Sequence, residues 1–328
     1  MPDIAVIISV RNAAQTIVQC LTAVKKSEGV SCELIVVDAA STDGTAALVA
    51  PFTDQLYTVS ADIARNKARS LGASYAQAPL VVNIDADVLV KPDTLRIVRN
   101  YFDRHPEVDA ITGMLSKDHP NRDFLSQYKN LYMHYMFLSL PERVYFLYGS
   151  LYAFRRELAG FYDCAYELGE DTAFGQRLSK EGKHIAFLKE AEVEHLKKYS
   201  FSGFLKNEFL IPFYWAQIFF AYQGWRQMMR DRGTFSHASG SQMAGILLAV
   251  ATMVFCAAGF IDPALWGGCL FFFFLWGIAQ RSFLAFYYRQ RGFCFLALAL
   301  ITALVDDCIK AAGIAAGSVW YLVKKAKK

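Results

Sequence analysis

Two long stretches without a charged residue, near the C-terminus, limit this chain more than any other feature. Met243–Ile261 runs for 19 residues and Pro263–Gln280 for 18. At 1.5 Å per helical residue each would reach roughly 27–29 Å, about the thickness of a bilayer's hydrocarbon core. Only Asp262 and Pro263 mark the break between them, so the pair reads as a tight hairpin crossing a membrane twice, with Arg289, Gln290 and Arg291 returning to the cytoplasmic side, where basic residues accumulate. A third apolar stretch, 293–323, is interrupted by Asp306, Asp307 and Lys310. A charge at the bilayer centre costs at least a few kcal/mol, and a third crossing would place Lys324–Lys328 on the wrong side. This stretch is spanning, re-entrant or interfacial; the last two keep the lysines in the cytosol and are preferred.

Composition supports that division. Hydrophobic residues make up 54% of the 328 residues, more than a soluble enzyme usually carries. Mean hydropathy is +0.22. The excess lies in the last third, whereas residues 1–200 read as an ordinary globular protein. A net charge of +4 is too mild for nucleic-acid binding, and much of the basic character flanks the apolar runs (Arg226, Arg230 and Arg232 before them, the lysines after), where anionic lipid attracts it. Seven cysteines show no C-x-x-C pair and no metal-finger spacing, which fits a reducing compartment. MPDIAVIIS lacks the pattern of a signal peptide, so the N-terminal part is expected in the cytosol. Residues 201–240 are rich in aromatics and read as amphipathic, interfacial linker helices or as core helices of the enzyme. The expected organisation is 1–200 catalytic, 201–240 linker and 241–328 membrane-associated and all-α.

Within the first 105 residues, strands and helices alternate: strands at Ile4–Val10, Glu33–Val37, Leu56–Val59 and Leu80–Ile84, with helical spacing at Ala14–Lys26, from Thr45, at Asp62–Ala76 and at Pro92–Phe102. This order predicts an α/β fold with a doubly wound, mostly parallel sheet, whose ligands sit at the carboxyl ends of strands. Acidic residues stand there. Asp38 ends one strand and could contact a base or ribose, or could cap the turn Ser41-Thr42-Asp43-Gly44. Asp85 and Asp87 follow Leu80–Ile84; two carboxylates two residues apart can address one site, and hard divalent cations seek such oxygens together with phosphate. Gly169-Glu170-Asp171 opens a helix, where an acid favours the dipole or, equally, serves as a fixed base. His195, beyond Glu192-Val193-Glu194, is by itself more often a satisfied histidine than a ligand. Beside carboxylates it would suit Mn²⁺ better than Mg²⁺. No G-x-G-x-x-G follows the first strand, which argues against a dinucleotide-binding dehydrogenase.

The order of these motifs is more specific than any one of them. Ile-Ser-Val-Arg-Asn at 8–12, Glu33–Asp38 with Ser-Thr-Asp-Gly-Thr, Arg65-Asn66, Asp85-Ala-Asp87, Gly149 with Arg155-Arg156, Gly169-Glu170-Asp171 and Val193-Glu194-His195 stand in one sequence. Over residues 4–200 the chain resembles a family 2 glycosyltransferase of the GT-A fold. The resemblance implies that Asp38 contacts the base or ribose of a nucleotide-sugar donor, UDP- or GDP-linked, with Arg65 nearby. It implies that Asp85 and Asp87 hold Mn²⁺ or Mg²⁺ with the donor diphosphate, His195 completing the metal shell. Gly149 and Ser150 would line the acceptor side, and Asp171 would be the catalytic base, with Glu170 beside it.

The chain departs from the family at Ala39 and Ala40, where a second Asp is common, and it lacks the Q-x-x-R-W run of processive polymerases. The expected reaction is therefore inverting, metal-dependent transfer of a single sugar to a hydroxyl of a lipid-linked or glycan acceptor at a membrane. The alternatives are a polyprenyl-phosphate sugar synthase, or an inactive membrane scaffold of the same fold.

Overall fold

The computed structural model describes residues 1–60, 65–162, 166, 168–226 and 240–327. They form two compact units: 1–122 with 140–198, and 123–139 with 199–328.

The first unit is built on a mixed sheet. Strands β1 (Ile4–Val10), β2 (Cys32–Asp38), β3 (Gln55–Thr58) and β4 (Leu80–Ile84) are parallel, in the spatial order β3-β2-β1-β4. β1 and β4 are β-branched and apolar almost throughout because helices cover both faces, and Ile4, Ile7, Val81 and Val82 are fully buried. The register sets Val10 beside Asp38. The first acidic position thus falls on the same carboxyl edge as the end of β4, where Asp85 follows.

The helices between these strands are α1 (Ile17–Lys25), α2 (Thr45–Val49) and α3 (Arg65–Tyr75). α3 lies close to the sheet because Gly72 has no side chain: a Cβ there would stand 2.5 Å from Ile7 Cγ2.

Beyond β4 the sheet changes character. β5 (Val88–Val90) and α4 (Thr94–Arg104) are followed by β6 (Ala110–Leu115), β7 (Arg143–Val144), β8 (Leu151–Arg155), α6 (Glu170–Lys180) and β9 (Ile185–His195). β8 enters antiparallel between β4 and β6, and β9 runs parallel to β6. β5 is antiparallel to the end of β9, pairing Val88 with His195. The parallel part is the expected doubly wound half; the antiparallel strands carry the other half of the cleft.

The second unit is all-helical: α5 (Phe124–Leu138), α7 (Phe201–Ala221), α8 (Gly240–Gly259) and α9 (Trp266–Ala326). α5 is buried on nearly every side, and α9 is interrupted only at Gly292, whose φ of 77° breaks it into two halves. Two segments, Gly240–Gly259 and Pro263–Ala326, contain helices long and apolar enough to cross a membrane. Leu247, Val254, Leu270 and Phe274 face outward. The stretch 293–323 is one continuous helix. Its Gly313 and Gly317 rest on the carbonyl oxygens of Phe209 and Phe213, leaving no room for a Cβ.

Candidate active site

The site forms where strand ends and helix starts meet at the carboxyl edge of the sheet. Asp85 and Asp87 occupy the turn between β4 and β5. The β5–β9 register then delivers His195 to the same turn, and Asp87 C=O accepts from Leu196 N–H at 2.7 Å. One ligand atom each from Asp85, Asp87 and His195 lies within 4.8 Å of the others. Two carboxylates and an imidazole at that spacing, all half-buried, suit Mn²⁺ or Mg²⁺.

The histidine adds a condition. Lys197 N–H donates to His195 Nδ1 at 3.0 Å, so the neutral ring carries its proton on Nε2, 3.8 Å from Asp87 Oδ1. Ligation through Nε2 requires that amide contact to loosen and the tautomer to reverse. The carboxylates fit a cation as they stand; the imidazole fits in distance.

Asp171 enters from the N-terminus of α6. Gly149 N–H donates to Asp171 Oδ2 at 2.5 Å. A methyl group placed at Gly149 would lie 3.1 Å from Asp171 Oδ2 and 3.3 Å from Asp85 Oδ2, so these carboxylates flank one small volume. Gly149 is what leaves that volume open. Ser150 is buried beside it and bonds the Tyr148 phenol. α6 is clamped onto this loop by Gln176 Nε2, which donates to Tyr145 C=O at 2.8 Å, and by Gly175, where a Cβ would stand 2.6 Å from Leu147 N.

Glu170 and Asp171 are adjacent but differently engaged. Glu170 is 4% exposed and ion-paired to Arg69, whose guanidinium also pairs with Asp85 Oδ1. Arg69 thereby ties the Asp85–Asp87 turn to the start of α6. Burial, the strongest influence on it, opposes its charge; Asp85 and Glu170 outweigh burial and hold it protonated. Among the described residues Asp171 has no such ion-pair partner. Burial first, and Glu170 second, push its carboxyl up to about 7, against the pull of Arg69.

Arg69 was not among the residues expected from the sequence. Arg65, which was, opens α3, but its side chain lies outside the described residues. Arg69 follows it by one turn, between Ala68 and Gly72, and an arginine set among small residues on a sheet-facing stripe is the available signal.

Asp38 is 1% exposed, and its Oδ1 accepts from Ser41 N at 3.1 Å and Ser41 Oγ at 2.5 Å. That is the turn-capping arrangement. The turn is stitched to the end of β1: Asn12 Oδ1 accepts from Thr42 N at 2.8 Å, and Thr45 Oγ1 from Ala13 N at 2.8 Å. Asn12 and Ala40 sit at φ of 53° and 52°, a costly region for alanine that this stitching holds in place.

Comparison with known proteins agrees with this geometry. Residues 5–161 match the family model described as "Glycosyl transferase family 2". A segment of 100 residues is 36% identical to the succinoglycan biosynthesis protein ExoO of Rhizobium meliloti (strain 1021), covering 29% of this chain and 28% of that protein. Among solved structures, the mannosyltransferase PcManGT from Pyrobaculum calidifontis, in complex with GDP-Man and Mn²⁺, is similar at 20% identity and a TM-score of 0.54, over 99% of this chain and 88% of that one. Glucosyl-3-phosphoglycerate synthase from Mycobacterium tuberculosis, in complex with Mg²⁺ and UDP, matches at 15% identity and a TM-score of 0.51, over 68% of this chain and 80% of its own. Nearly half of the chain, residues 5–161, thus matches glycosyl transferase family 2, on a sheet with the fold of its GT-A neighbours, while the chain spans under a third of the length of the curated relative it matches.

Proposed function

We propose that the chain transfers a single sugar, with inversion and dependence on a divalent metal, from a UDP- or GDP-linked donor to a hydroxyl of a membrane-associated acceptor, lipid-linked or polysaccharide. The observation that carries this reading is the convergence of Asp171 and Asp85 on the volume beside Gly149. It supports the reading because, among the described residues, a carboxylate without an ion pair stands beside the Asp85 turn, as in-line displacement at an anomeric carbon would require.

Asp171 would accept the acceptor hydroxyl's proton. Its raised affinity for a proton makes it a better base near neutrality than an ordinary carboxylate, a step typically contributing about 10²–10⁴-fold. Glu170 cannot share that task while paired to Arg69; its part is to hold Arg69, and through it Asp85. Asp85, Asp87 and, after the tautomer change, His195 would hold Mn²⁺ or Mg²⁺. When bound, the ion neutralises charge developing on the departing diphosphate. The nucleoside would lie against the joined Asn12 and Ser41 turns, which Asp38 holds in shape through Ser41. The hairpin of α8 and the first half of α9 supports membrane association with the catalytic unit on the cytoplasmic side. The similarity to a succinoglycan biosynthesis protein favours a cell-envelope polysaccharide or its lipid-linked precursor as acceptor.

The test is a nucleotide-sugar panel on the detergent-solubilised full chain, with Mn²⁺ or Mg²⁺ and with EDTA. At least one UDP- or GDP-sugar should be hydrolysed slowly without acceptor and faster with membrane lipid extract, and chelation should stop both. Turnover indifferent to EDTA would remove the metal from the proposal, and no turnover of any donor would argue for an inactive scaffold.

A further inference from the structure

Among the described residues, the helical unit buries five carboxylate and lysine side chains that the reaction does not use. Lys129 on α5 pairs with Glu208 on α7 at 2.6 Å. Lys310 on α9 pairs with Asp306 at 2.8 Å, lies 3.7 Å from Glu208, and stands 3.9 Å from the centre of the Tyr132 ring. The Tyr128 hydroxyl donates to Asp306 at 3.0 Å. Asp307 accepts from the Trp276 indole N–H and the Gln280 amide, each at 2.9 Å. One network therefore ties α5, α7 and both halves of α9.

Two of these contacts fix its depth. Gln280 ends the second charge-free run, 17 residues after Pro263. At 1.5 Å per residue that is about 26 Å from the hairpin tip, close to one hydrocarbon thickness. Asp307, bonded to Gln280, stands at that same level. α5, which faces Asp306 and Lys310, is bracketed by the catalytic unit in the chain: residue 122 precedes it and residue 140 follows it. A 15-residue helix that returns to the same unit at both ends does not cross a bilayer.

The second half of α9 is also two-sided. Ala299, Ala303, Asp306, Lys310, Gly313 and Gly317 are buried on one face. Leu298, Ile301, Val305, Val319 and Val323 are exposed on the other, at 47–65%. Charges turned inward and aliphatic side chains outward reverse the pattern of a helix facing water.

We propose that α5, α7 and the second half of α9 form a platform lying in the headgroup plane on the catalytic side of the membrane, its aliphatic face against acyl chains. Only α8 and the first half of α9 cross. The proposal rests on the membrane reading above and commits the third apolar stretch to the interface. Lys324, Lys325 and Lys327 then lie among anionic headgroups of the same leaflet, where each contributes attraction rather than a crossing penalty.

The test uses the full chain in inverted vesicles, cytoplasmic face outward, in a background whose native cysteines are replaced by alanine and which still turns over donor. Ile261→Cys at the hairpin tip and Lys327→Cys at the end of α9 are probed separately with a membrane-impermeant maleimide. The expected result is labelling of Lys327→Cys in intact vesicles at least tenfold faster than Ile261→Cys, which reacts only after detergent. If both are protected, the second half of α9 spans and the platform is overturned. If Ile261→Cys labels in intact vesicles, the hairpin does not cross and the membrane reading itself fails. A C-terminal tag, cleaved or spared by external protease, reports the same side with every native cysteine in place.

Discussion

Replacing Arg69 by methionine tests whether this arginine holds the site together. Its side chain is 3% exposed and compensates Asp85 and Glu170, with Asp171 adjacent. Removing one partner of a buried ion pair costs about 3–5 kcal/mol, because the remaining charge stays desolvated and unpaired. For a unit of about 180 residues, each kcal/mol moves the melting temperature by about 2–4 °C, so Arg69→Met should melt about 6–20 °C below the parent at pH 8. The deficit has a pH dependence of known sign. Without the guanidinium Asp171 loses a charge that holds down its already raised carboxyl, and a raised value gives stability that is present at low pH and lost as pH rises. The gap between variant and parent should therefore narrow from pH 8 towards pH 5. Arg69→Lys should fall between them, since a point charge cannot fork onto both carboxylates. Thermal melting in detergent across that range is the assay. A methionine variant that melts within 2 °C of the parent at pH 8 would refute the bridging role and, with it, the account of how Glu170 and Asp85 are fixed.

Asp171→Asn should lose about 10²–10⁴-fold in transfer while retaining nucleotide binding. Because the Asp171 carboxyl is raised to about 7, its stabilising contribution is full at acid pH and lost as pH climbs through that value. The Asn variant should therefore melt above the parent at pH 8 and converge with it at pH 5, and equal melting at pH 8 contradicts the burial argument. Gly175→Ala gains about 1 kcal/mol of helix propensity but sets a Cβ 2.6 Å from Leu147 N. Relief needs a shift approaching 1 Å at the helix that carries Asp171, so kcat should fall by about 10²-fold, and a variant with parental kcat would show that α6 does not position Asp171. Gly317→Ala drives a Cβ into the Phe213 carbonyl. Overpacking of this kind costs about 1–3 kcal/mol, read as a lower melting temperature of the helical unit with nucleotide binding unchanged.

Much of the site was legible because it is local. Leu80–Ile84 is apolar enough to be a buried strand, so the position of Asp85 and Asp87 at its carboxyl edge follows from the chain alone. Gly169-Glu170-Asp171 likewise reads as a helix start, and the charge-free runs as helices of bilayer length. Asp38 shows the limit of that reading. Its neighbours Ser41 and Asp43 allow either a ligand contact or a turn cap, and only the hydrogen bonds of Ser41 to its Oδ1 reveal the cap.

The sequence by itself determined the parallel half of the sheet, the acidic turns on its edge and the two apolar runs, since periodicity, β-branching and turn residues act over a few positions. Tertiary structure alone decided that Arg69 reaches Glu170 across 101 positions of chain, that His195 arrives by antiparallel pairing with β5, and that α5 packs among the C-terminal helices rather than on the sheet. Those outcomes depend on charge pairing and shape complementarity between segments far apart in the chain, which no local pattern encodes.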